Sequence, residues 1–300
     1  MSTLKSYKGF DKDLKCRDFQ FEVGKTYTHT GPVVACRSGF HACENPWDVL
    51  SYYPFTGSRF CAVEQSGELQ KHDDDSKIAS ASITIMAELK LPEFVKTCVG
   101  WLITACKSDA SSGNDSKLAA SGDGSKLAAS GNDSKLAASG NYSKLAASGD
   151  GSKLAASGND SKLAASGDDS KLAASGYRSQ LAASGYGSKL AASGYGSKLA
   201  ASGNDSKLAA SGDGSKLAAS GNDSRLAASG DDSRLAASGD NSLIMGAYGS
   251  HAKAGPNGAF AIAWHDGNHP RIAVGYVGEG LRADTWYRVD DAGNFVEVVE

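Results

Sequence analysis

Residues 112–120 read Ser-Gly-Asn-Asp-Ser-Lys-Leu-Ala-Ala, and this nine-residue unit recurs with little change as far as residue 239. Leucine occupies position 118 and every ninth position to 235, and glycine occupies position 113 and every ninth position to 239. A fixed short period of this kind is the sequence signature of a solenoid or another repeat array. The repeat therefore decides the fold of the central part of the chain.

The period also decides between helix and strand. In a helix, nine residues make two and a half turns, so successive leucines would lie on opposite sides and no apolar face would form. In a strand, Ser116, Leu118 and Ala120 point to one side, whereas Lys117 and Ala119 point to the other. We therefore expect strands whose serine, leucine and second alanine face inward and whose lysine faces water.

Four residues join successive strands, and their composition is that of tight turns. Each begins with Ser-Gly and ends with a variable pair such as Asn-Asp, Asp-Gly or Tyr-Gly, and Gly, Asn and Asp tolerate the left-handed backbone that a tight reversal needs. Because one nine-residue loop is too small to enclose a leucine, two repeats should form one coil of about 18 residues. Fourteen leucine repeats then predict seven coils.

The segments on either side of the repeats must supply separate cores. Residues 1–110 combine short strand patterns with two candidate helices, and residues 248–300 show alternating strand patterns. The predicted fold class is mainly β. It comprises an α+β N-terminal domain at residues 1–110, a nonapeptide-repeat β-solenoid at residues 111–247 and a β-rich C-terminal cap at residues 248–300.

Local signals place several elements in these flanking segments. One helix should begin at Asn45, a capping residue followed by Pro46, and extend to Tyr53. A second should begin after Pro92, where apolar residues recur at helical spacing. Strands are predicted at residues 19–23, 25–28, 33–36, 59–64 and 80–85 of the N-terminal segment and at 259–264 and 271–277 of the C-terminal one. A hairpin should also join 285–289 to 295–299.

Charge and cysteine usage limit the class of partner and the compartment. The lysine position is basic in thirteen of fourteen repeats, and the turns between residues 114 and 240 contain thirteen acids. Such a rod is nearly neutral, which does not favour nucleic acid as a partner. There is no apolar N-terminal run and no segment long enough to span a bilayer, and six cysteines outside the repeats fit a reducing compartment. We expect a cytoplasmic protein that does not associate with membranes.

Four side chains in the N-terminal segment are of types that bind zinc. Cys36, His41 and Cys43 lie close together in the sequence, and Cys16 lies upstream, so a Cys3His set can be drawn. The His-x-Cys spacing, however, does not form a zinc knuckle, and cysteine is commonly a small buried residue. The interpretation as packing residues is preferred, and we predict neither a metal nor a cofactor.

Resemblances to three known families come from the N-terminal segment and from the repeats. Residues 7–10 (Tyr-Lys-Gly-Phe), the Cys-Arg-x-Phe-x-Phe-x-x-Gly-Lys-x-Tyr motif at 16–27 and Gly-Phe-His-Ala-Cys-Glu-Asn-Pro at 39–46 resemble an uncharacterised family of phage and prophage proteins. That resemblance implies a phage or prophage protein, but it implies no particular activity. The repeats are similar to the heads of trimeric autotransporter adhesins. Their Gly-Tyr-Gly-Ser turns are similar to ice-nucleation repeats. Both resemblances imply a β-solenoid.

A further, looser resemblance concerns the N-terminal segment alone. Residues 38–43, the helix after them and the strand at 59–64 follow the order of the NAD-binding split sheet of ADP-ribosyltransferases. Residues 7–9 stand where that family has its first-strand motif. The resemblance implies an NAD-binding domain, but Glu64 and Glu68 lie in the wrong strand for the catalytic glutamate.

The functional prediction follows from a regular repeat without an assembled catalytic set. We predict a non-enzymatic phage or prophage protein that binds a host or phage protein, with the solenoid as a repetitive recognition face or a spacer. A transferase-like N-terminal domain and an adhesin-like or ice-binding-like structural rod are the alternatives. Homo-oligomerisation is left open.

The candidate binding surface lies where the repeats stop being uniform. Tyr177, Arg178, Gln180, Tyr186 and Tyr195 fall in three consecutive repeats whose turns lose their acids, and one of these repeats also loses its lysine. Tyrosine and arginine are the side chains that most often anchor interfaces. In an 18-residue coil Tyr177 and Tyr195 share one corner, whereas Tyr186 lies at the opposite corner. Neutral drift in a duplicated array is the alternative explanation.

Overall fold

The structure, a computed structural model, describes residues 3–71, 75–105 and 110–298. The chain forms two compact units that divide between Trp101 and Leu102. The first unit, here called the head, contains the N-terminal strands and most of the second helix. The second unit contains the repeats and the C-terminal segment.

The head is built around one sheet that closes on itself. Its strands are β1 Leu4–Phe10, β2 Lys15–Cys16, β3 Phe19–Gln20, β4 Thr26–Thr28, β5 Phe40–Cys43, β6 Arg59–Lys71 and β7 Lys77–Leu89, and the helices are α1 Pro46–Val49 and α2 Leu91–Ala105. The sheet order is β4-β7-β5-β1-β6, and β6 pairs with β7 as well as with β1. Phe10, Phe21, Val63 and Ile83 belong to the core that this closure encloses.

The predicted helices are present, although α1 is shorter than expected. The Asn45 side chain accepts a hydrogen bond from the Trp47 backbone N–H at 3.1 Å, which confirms the N-cap, but α1 ends at Val49 rather than at Tyr53. The second helix begins at Leu91, as predicted to within two residues. The Trp47 indole donates to the Cys98 carbonyl at 2.7 Å and so fastens the first helix to the second.

The strands of the head differ more from the prediction. The predicted strand at residues 33–36 is a turn that contains only an isolated bridge between Val34 and Ser38, because Cys36 has a left-handed φ of 63°. The strand Leu4–Phe10 was missed since Ser6 and Lys8, which are buried, stand where an alternating pattern calls for apolar residues.

The repeats form a β-solenoid with coils of about 18 residues over residues 117–262. One parallel sheet consists of the odd-numbered strands β9 Lys117–Ala120, β11 Lys135–Ala138, β13 Lys153–Ala156, β15 Lys171–Ala174, β17 Lys189–Ala192, β19 Lys207–Ala210, β21 Arg225–Ala228, β23 Leu243–Gly246 and β25 Ala259–His265. The other consists of the even-numbered strands β8 Ala110–Ser111, β10 Lys126–Ala129, β12 Lys144–Ala147, β14 Lys162–Ala165, β16 Gln180–Ala183, β18 Lys198–Ala201, β20 Lys216–Ala219, β22 Arg234–Ala237 and β24 His251–Ala254. The solenoid has about eight turns rather than seven, because it continues through β23, β24 and β25 beyond the last leucine repeat.

On the odd-numbered strands the register confirms the predicted inner and outer positions. Leu154 pairs with Leu172, eighteen residues further along the chain. Ser170, Leu172 and Ala174 are buried, whereas Lys171 is exposed. On the even-numbered strands the alanines predicted to face outward, such as Ala164, are buried, and lysines such as Lys162 are half-buried.

From Ser134 to Ser242 each buried serine of the repeats donates its hydroxyl to the carbonyl of the glycine three residues earlier, as Ser170 does to Gly167 at 2.9 Å. The interior of these coils is therefore apolar apart from hydroxyls that are hydrogen-bonded.

The repeated glycine has a different role from the one predicted. A Cβ on Gly167 would overlap the carbonyl oxygen of Gly149 in the preceding coil, and the same holds for the repeated glycines from Gly131 to Gly239. These glycines do not have positive φ; the left-handed residue is the second of the variable pair, for example Asp169 at 53°. Glycine is therefore required by the close approach of stacked backbones.

The C-terminal segment closes the solenoid interior with larger side chains. Strand β26, Pro270–Tyr276, pairs antiparallel with β25, and β27, Tyr287–Val289, forms the predicted hairpin with β28, Phe295–Glu297. The rings of Phe260, Tyr287 and Phe295 lie 5.8 to 6.4 Å apart at the end of the leucine column. These aromatic residues cover the last coil.

Candidate functional site

The turns of the solenoid stack along two edges, and the exposed tyrosines lie mainly on one of them. The turns that lead from odd-numbered to even-numbered strands contain Tyr142, Tyr177, Tyr195 and Tyr248, which are 62, 61, 56 and 37 % exposed. The opposite edge contains Tyr186. We call the first of these the aromatic edge and define it by its four tyrosines together with Arg178.

A ladder of side-chain hydrogen bonds runs along both edges, and three tyrosines interrupt it. Asn159 Oδ1 accepts from the backbone N–H of Tyr177, eighteen residues later, at 2.9 Å. Tyrosine has no corresponding amide or carboxylate oxygen, so Tyr177 cannot offer the same bond to Tyr195. On the opposite edge the ladder resumes beyond Tyr186, where Asn204 accepts from Asn222 at 3.0 Å. Tyr177, Tyr186 and Tyr195 thus each replace a residue that would fasten adjacent coils, whereas Tyr142 follows Asn141, which keeps the ladder intact in its coil.

Two residues of the aromatic edge also have an unfavourable backbone conformation. Arg178 has a φ of 54° and Tyr142 a φ of 57°, at a turn position that elsewhere in the repeats is occupied by Gly, Asp or Asn. A left-handed conformation costs an ordinary L-residue about 1–2 kcal/mol. The edge therefore combines exposed aromatic rings with backbone strain, and strain of this kind is most often found at functional positions.

Two of the residues predicted from the sequence do not belong to this edge. Gln180 is only 9 % exposed, and its side-chain oxygen has no hydrogen-bond partner in the part of the chain that the structure describes. Tyr186 lies on the opposite edge, where its hydroxyl bonds to Asp205, which raises the pKa of Tyr186 above its usual value. Tyr142 and Tyr248, in contrast, were missed. Sorting the turns by alternate repeats would have placed Tyr142 on the same edge as Tyr177, one coil removed from it.

A second candidate site is a cavity of about 730 Å³ in the head. Strands β1, β5 and β7, the turn between β2 and β3 and the turn after α1 form its walls. The lining residues are Tyr7, Lys8, Gly9, Cys16, Arg17, Phe19, Phe21, His29, Cys36, Arg37, Ser38, Gly39, Phe40, His41, Cys43, Val49, Tyr52, Tyr53 and Lys77. The four residues considered as zinc candidates, Cys16, Cys36, His41 and Cys43, are all among them.

The four candidate ligands share the cavity wall, and two of them, His41 and Cys16, are hydrogen-bonded to other groups through the atoms that would bind a metal. His41 Nε2 accepts a hydrogen bond from the Cys36 backbone N–H at 3.0 Å, so the lone pair that would bind a metal is occupied. Burial raises the pKa of the Cys43 thiol to about 12, which keeps it protonated. Cys16 Sγ accepts from the Tyr53 hydroxyl at 3.1 Å. Within residues 3–71, 75–105 and 110–298 no group of three or more His, Cys, Asp or Glu is arranged to hold a metal ion.

The electrostatics of the cavity are dominated by cations. Lys8 is 6 % exposed, and its ammonium donates to the His41 carbonyl at 2.9 Å and lies 5.4 Å from the centre of the Phe10 ring. Burial lowers the pKa of Lys8. Burial and the nearby charges of Lys8, Lys77 and Arg17 lower the pKa of His41 to about 4, so the imidazole is neutral at pH 7. None of the described lining residues is a carboxylate.

Residues 4–97 match a family model described as a domain of unknown function, DUF7666. Every residue that lines the cavity falls inside this match. No curated protein and no solved structure matches the chain, and the comparisons identify no enzyme family. Among the residues that the structure describes, no helix is long and apolar enough to cross a membrane.

Proposed function

We propose that this protein is a non-enzymatic binding protein of phage or prophage origin that acts in the cytoplasm and recognises another protein through the aromatic edge of its solenoid. The observation that carries the proposal is the concentration of exposed tyrosines and a strained arginine on one edge of an otherwise uniform rod. Tyrosine and arginine are the residues most enriched in interface hot spots, because they provide a large contact area together with a polar tip.

The rigidity of the solenoid supports a recognition role for this edge. The backbone ladder fixes each turn relative to its neighbours, as between Arg178 N–H and the Tyr195 carbonyl at 2.9 Å. Side chains held on a fixed frame lose less conformational entropy when they bind than side chains on a mobile loop. Tyr177 and Tyr195, which lie on adjacent coils, thus form a preorganised pair rather than an adaptable surface, with Tyr142 and Tyr248 further along the same edge.

A protein partner fits this edge better than a nucleic acid does. Asp160, Asp213, Asp231 and Asp232 belong to the same stack of turns as the tyrosines. Carboxylates at this spacing repel a phosphate backbone, whose binding depends on clustered Lys and Arg. These carboxylates are compatible with a protein surface on which hydrogen-bond donors lie between apolar pockets.

The alternative of a transferase-like head receives less support from the geometry. Tyr7 pairs with Cys43, so the two segments of that resemblance do lie side by side along the cavity. Catalysis in that family requires a glutamate, and the described lining residues include none. We therefore assign the head a binding role without catalysis.

The proposal is tested by restoring the repeat consensus along the aromatic edge. One variant combines Tyr142→Asp, Tyr177→Asn, Arg178→Asp and Tyr195→Asp, and a control variant exchanges one consensus turn for another with Asn222→Asp and Asp223→Gly. Wild type, variant and control are used to recover partners from host lysate, and their thermal unfolding is followed in parallel. We expect wild type and control to recover the same protein and the edge variant to lose it without loss of stability. Equal recovery by a folded edge variant would contradict the proposal.

A further inference from the structure

Lys8 is a buried lysine for which no carboxylate among the described residues serves as a partner. Its ammonium has three donors, yet the described contacts are one carbonyl, that of His41 at 2.9 Å, and one sulfur, Cys16 Sγ at 3.5 Å. Burying a charge is costly unless it is paired. A lysine retained in this position, at the wall of a cavity, is typical of a site that receives its counter-ion from a ligand.

Further cations line the same cavity. Arg17 and Arg37 are exposed, and no carboxylate in the described part of the chain forms an ion pair with either. Lys77 is held by the Tyr52 hydroxyl at 2.8 Å, and that hydroxyl in turn bonds to Asp75. Among the described residues that line the cavity, Lys8, Arg17, Arg37 and Lys77 are thus basic and none is acidic. Asp48 and Asp75, outside the lining, lie near enough to act electrostatically on Cys43.

Aromatic rings at the rim of the cavity provide a surface for a flat group. Phe19 is 46 % exposed, although its ring lies 4.7 Å from that of Phe21 and 6.0 Å from that of Phe40. Tyr52 is 48 % exposed, and the Lys77 ammonium lies 4.5 Å from the centre of its ring. Exposed rings stacked on a rigid aromatic cluster can bind a planar ligand face to face.

We infer that the cavity of the head binds a ligand in which a phosphate is joined to a planar aromatic ring, which is the chemistry of a mononucleotide. The phosphate pairs with Lys8 and Arg17, and the ring packs on Phe19 or Tyr52 at the rim. The volume of about 730 Å³ lies within the range of small-molecule sites. This site is independent of the aromatic edge, because all of its residues belong to the head.

The ligand class is tested by titration calorimetry of the full chain with AMP, adenosine and inorganic phosphate. Because both the charge and the ring contribute, we expect AMP to bind at least about tenfold more tightly than either fragment. Absence of binding by AMP and by UMP at millimolar concentration would overturn the inference. Adenosine binding as tightly as AMP would remove the role of the phosphate, and phosphate binding as tightly as AMP would remove that of the ring.

Variants separate binding from folding. Lys8→Met should lower the affinity for AMP by at least about tenfold, while the melting temperature stays equal or rises, because an apolar residue of similar length replaces a buried charge. A purely structural lysine would instead lose stability. Lys25→Met, which removes an exposed ion pair with Glu22 outside the cavity, is the matched control and should leave the affinity unchanged. If Lys8→Met does not fold, Arg17→Gln, a substitution of an exposed residue, should lower the affinity for AMP in the same way. Unchanged affinity in the folded Arg17→Gln variant would contradict the inference.

Discussion

The solenoid and the head are stabilised in different ways. The solenoid repeats one coil, in which Leu172 and its equivalents fill the interior and Ser170 is hydrogen-bonded within its own turn. The head is assembled once, and it buries polar groups such as Gln65, which bonds to Ser6, Ser80 and two backbone carbonyls. In the solenoid a departure from the repeat can be recognised, because thirteen other copies show what the fold requires. The head has no repeated copies for such a comparison, so its function must be inferred from the arrangement of its side chains.

The largest expected effect comes from placing a charge inside the solenoid. Leu172→Asp removes a side chain that is 2 % exposed and leaves an unpaired carboxylate in an apolar column, which should cost about 4 kcal/mol or more. Lys171→Ala alters the exposed neighbour and should change stability by less than about 0.5 kcal/mol. Chemical denaturation measures both. Equal losses would mean that the assigned inner and outer faces are wrong.

A smaller loss should distinguish two glycines of a single turn. A Cβ on Gly194 would overlap the carbonyl oxygen of Gly176, whereas a Cβ on Gly196 would have its nearest neighbour, Arg178 Cγ, at 3.9 Å. Gly194→Ala should therefore cost about 3 kcal/mol through overpacking. Gly196→Ala should cost about 1 kcal/mol, since φ there is 66°. Denaturation of the two variants compares them directly, and the reverse order would contradict the close stacking of the coils.

The head should respond to pH through a group that has no counterpart inside the solenoid. The pKa of His41 is about 4 in the folded protein and about 6.5 in an unfolded chain, so between these values the unfolded state binds more protons. The stability contributed by neutral His41 is present above pH 6.5 and is lost as the pH falls towards 4. Thermal unfolding at pH 7 and pH 4.5 should show a smaller acid-induced loss in His41→Gln than in the wild type. Identical losses would contradict the assignment.

The smallest expected effect is an increase in the stability of the solenoid. Arg178→Gly places at φ 54° the residue that adopts this conformation without strain, and it should stabilise the solenoid by about 1 kcal/mol. Calorimetric melting of the variant beside the wild type measures the change. A destabilised variant would show that Arg178 stabilises the solenoid, and it would contradict the conclusion that its backbone is strained.

The repeat made most of the solenoid predictable. Because the side-chain period in a strand is two, the inward positions of Leu172 and Ser170 followed from the sequence alone. The role of Gly167 did not, since the contact with Gly149 exists only after coils have stacked. The burial of Gln180 was likewise not visible in the pattern.

Less of the head could be predicted, for a physical reason. Its first strand has Ser6 and Lys8 at inward positions, and their burial depends on partners from β5 and β6 that are distant in sequence. The cysteines and His41 were recognised by their chemical type, and the structure does bring them to one cavity wall. The burial of Lys8 beside them could not be predicted, because a single lysine in a strand is usually exposed.

Photo-crosslinking at single positions tests most directly the central claim that the aromatic edge recognises a protein. A photoreactive phenylalanine analogue is placed at position 195 on this edge, at position 186 on the opposite edge or at position 19 in the head, and each chain is irradiated in host lysate. All three positions carry exposed aromatic residues, so the replacements are matched in burial. We predict one crosslinked protein from position 195 and little or none from the other two. Equal crosslinking from positions 195 and 186, or crosslinking from position 19 alone, would contradict the account.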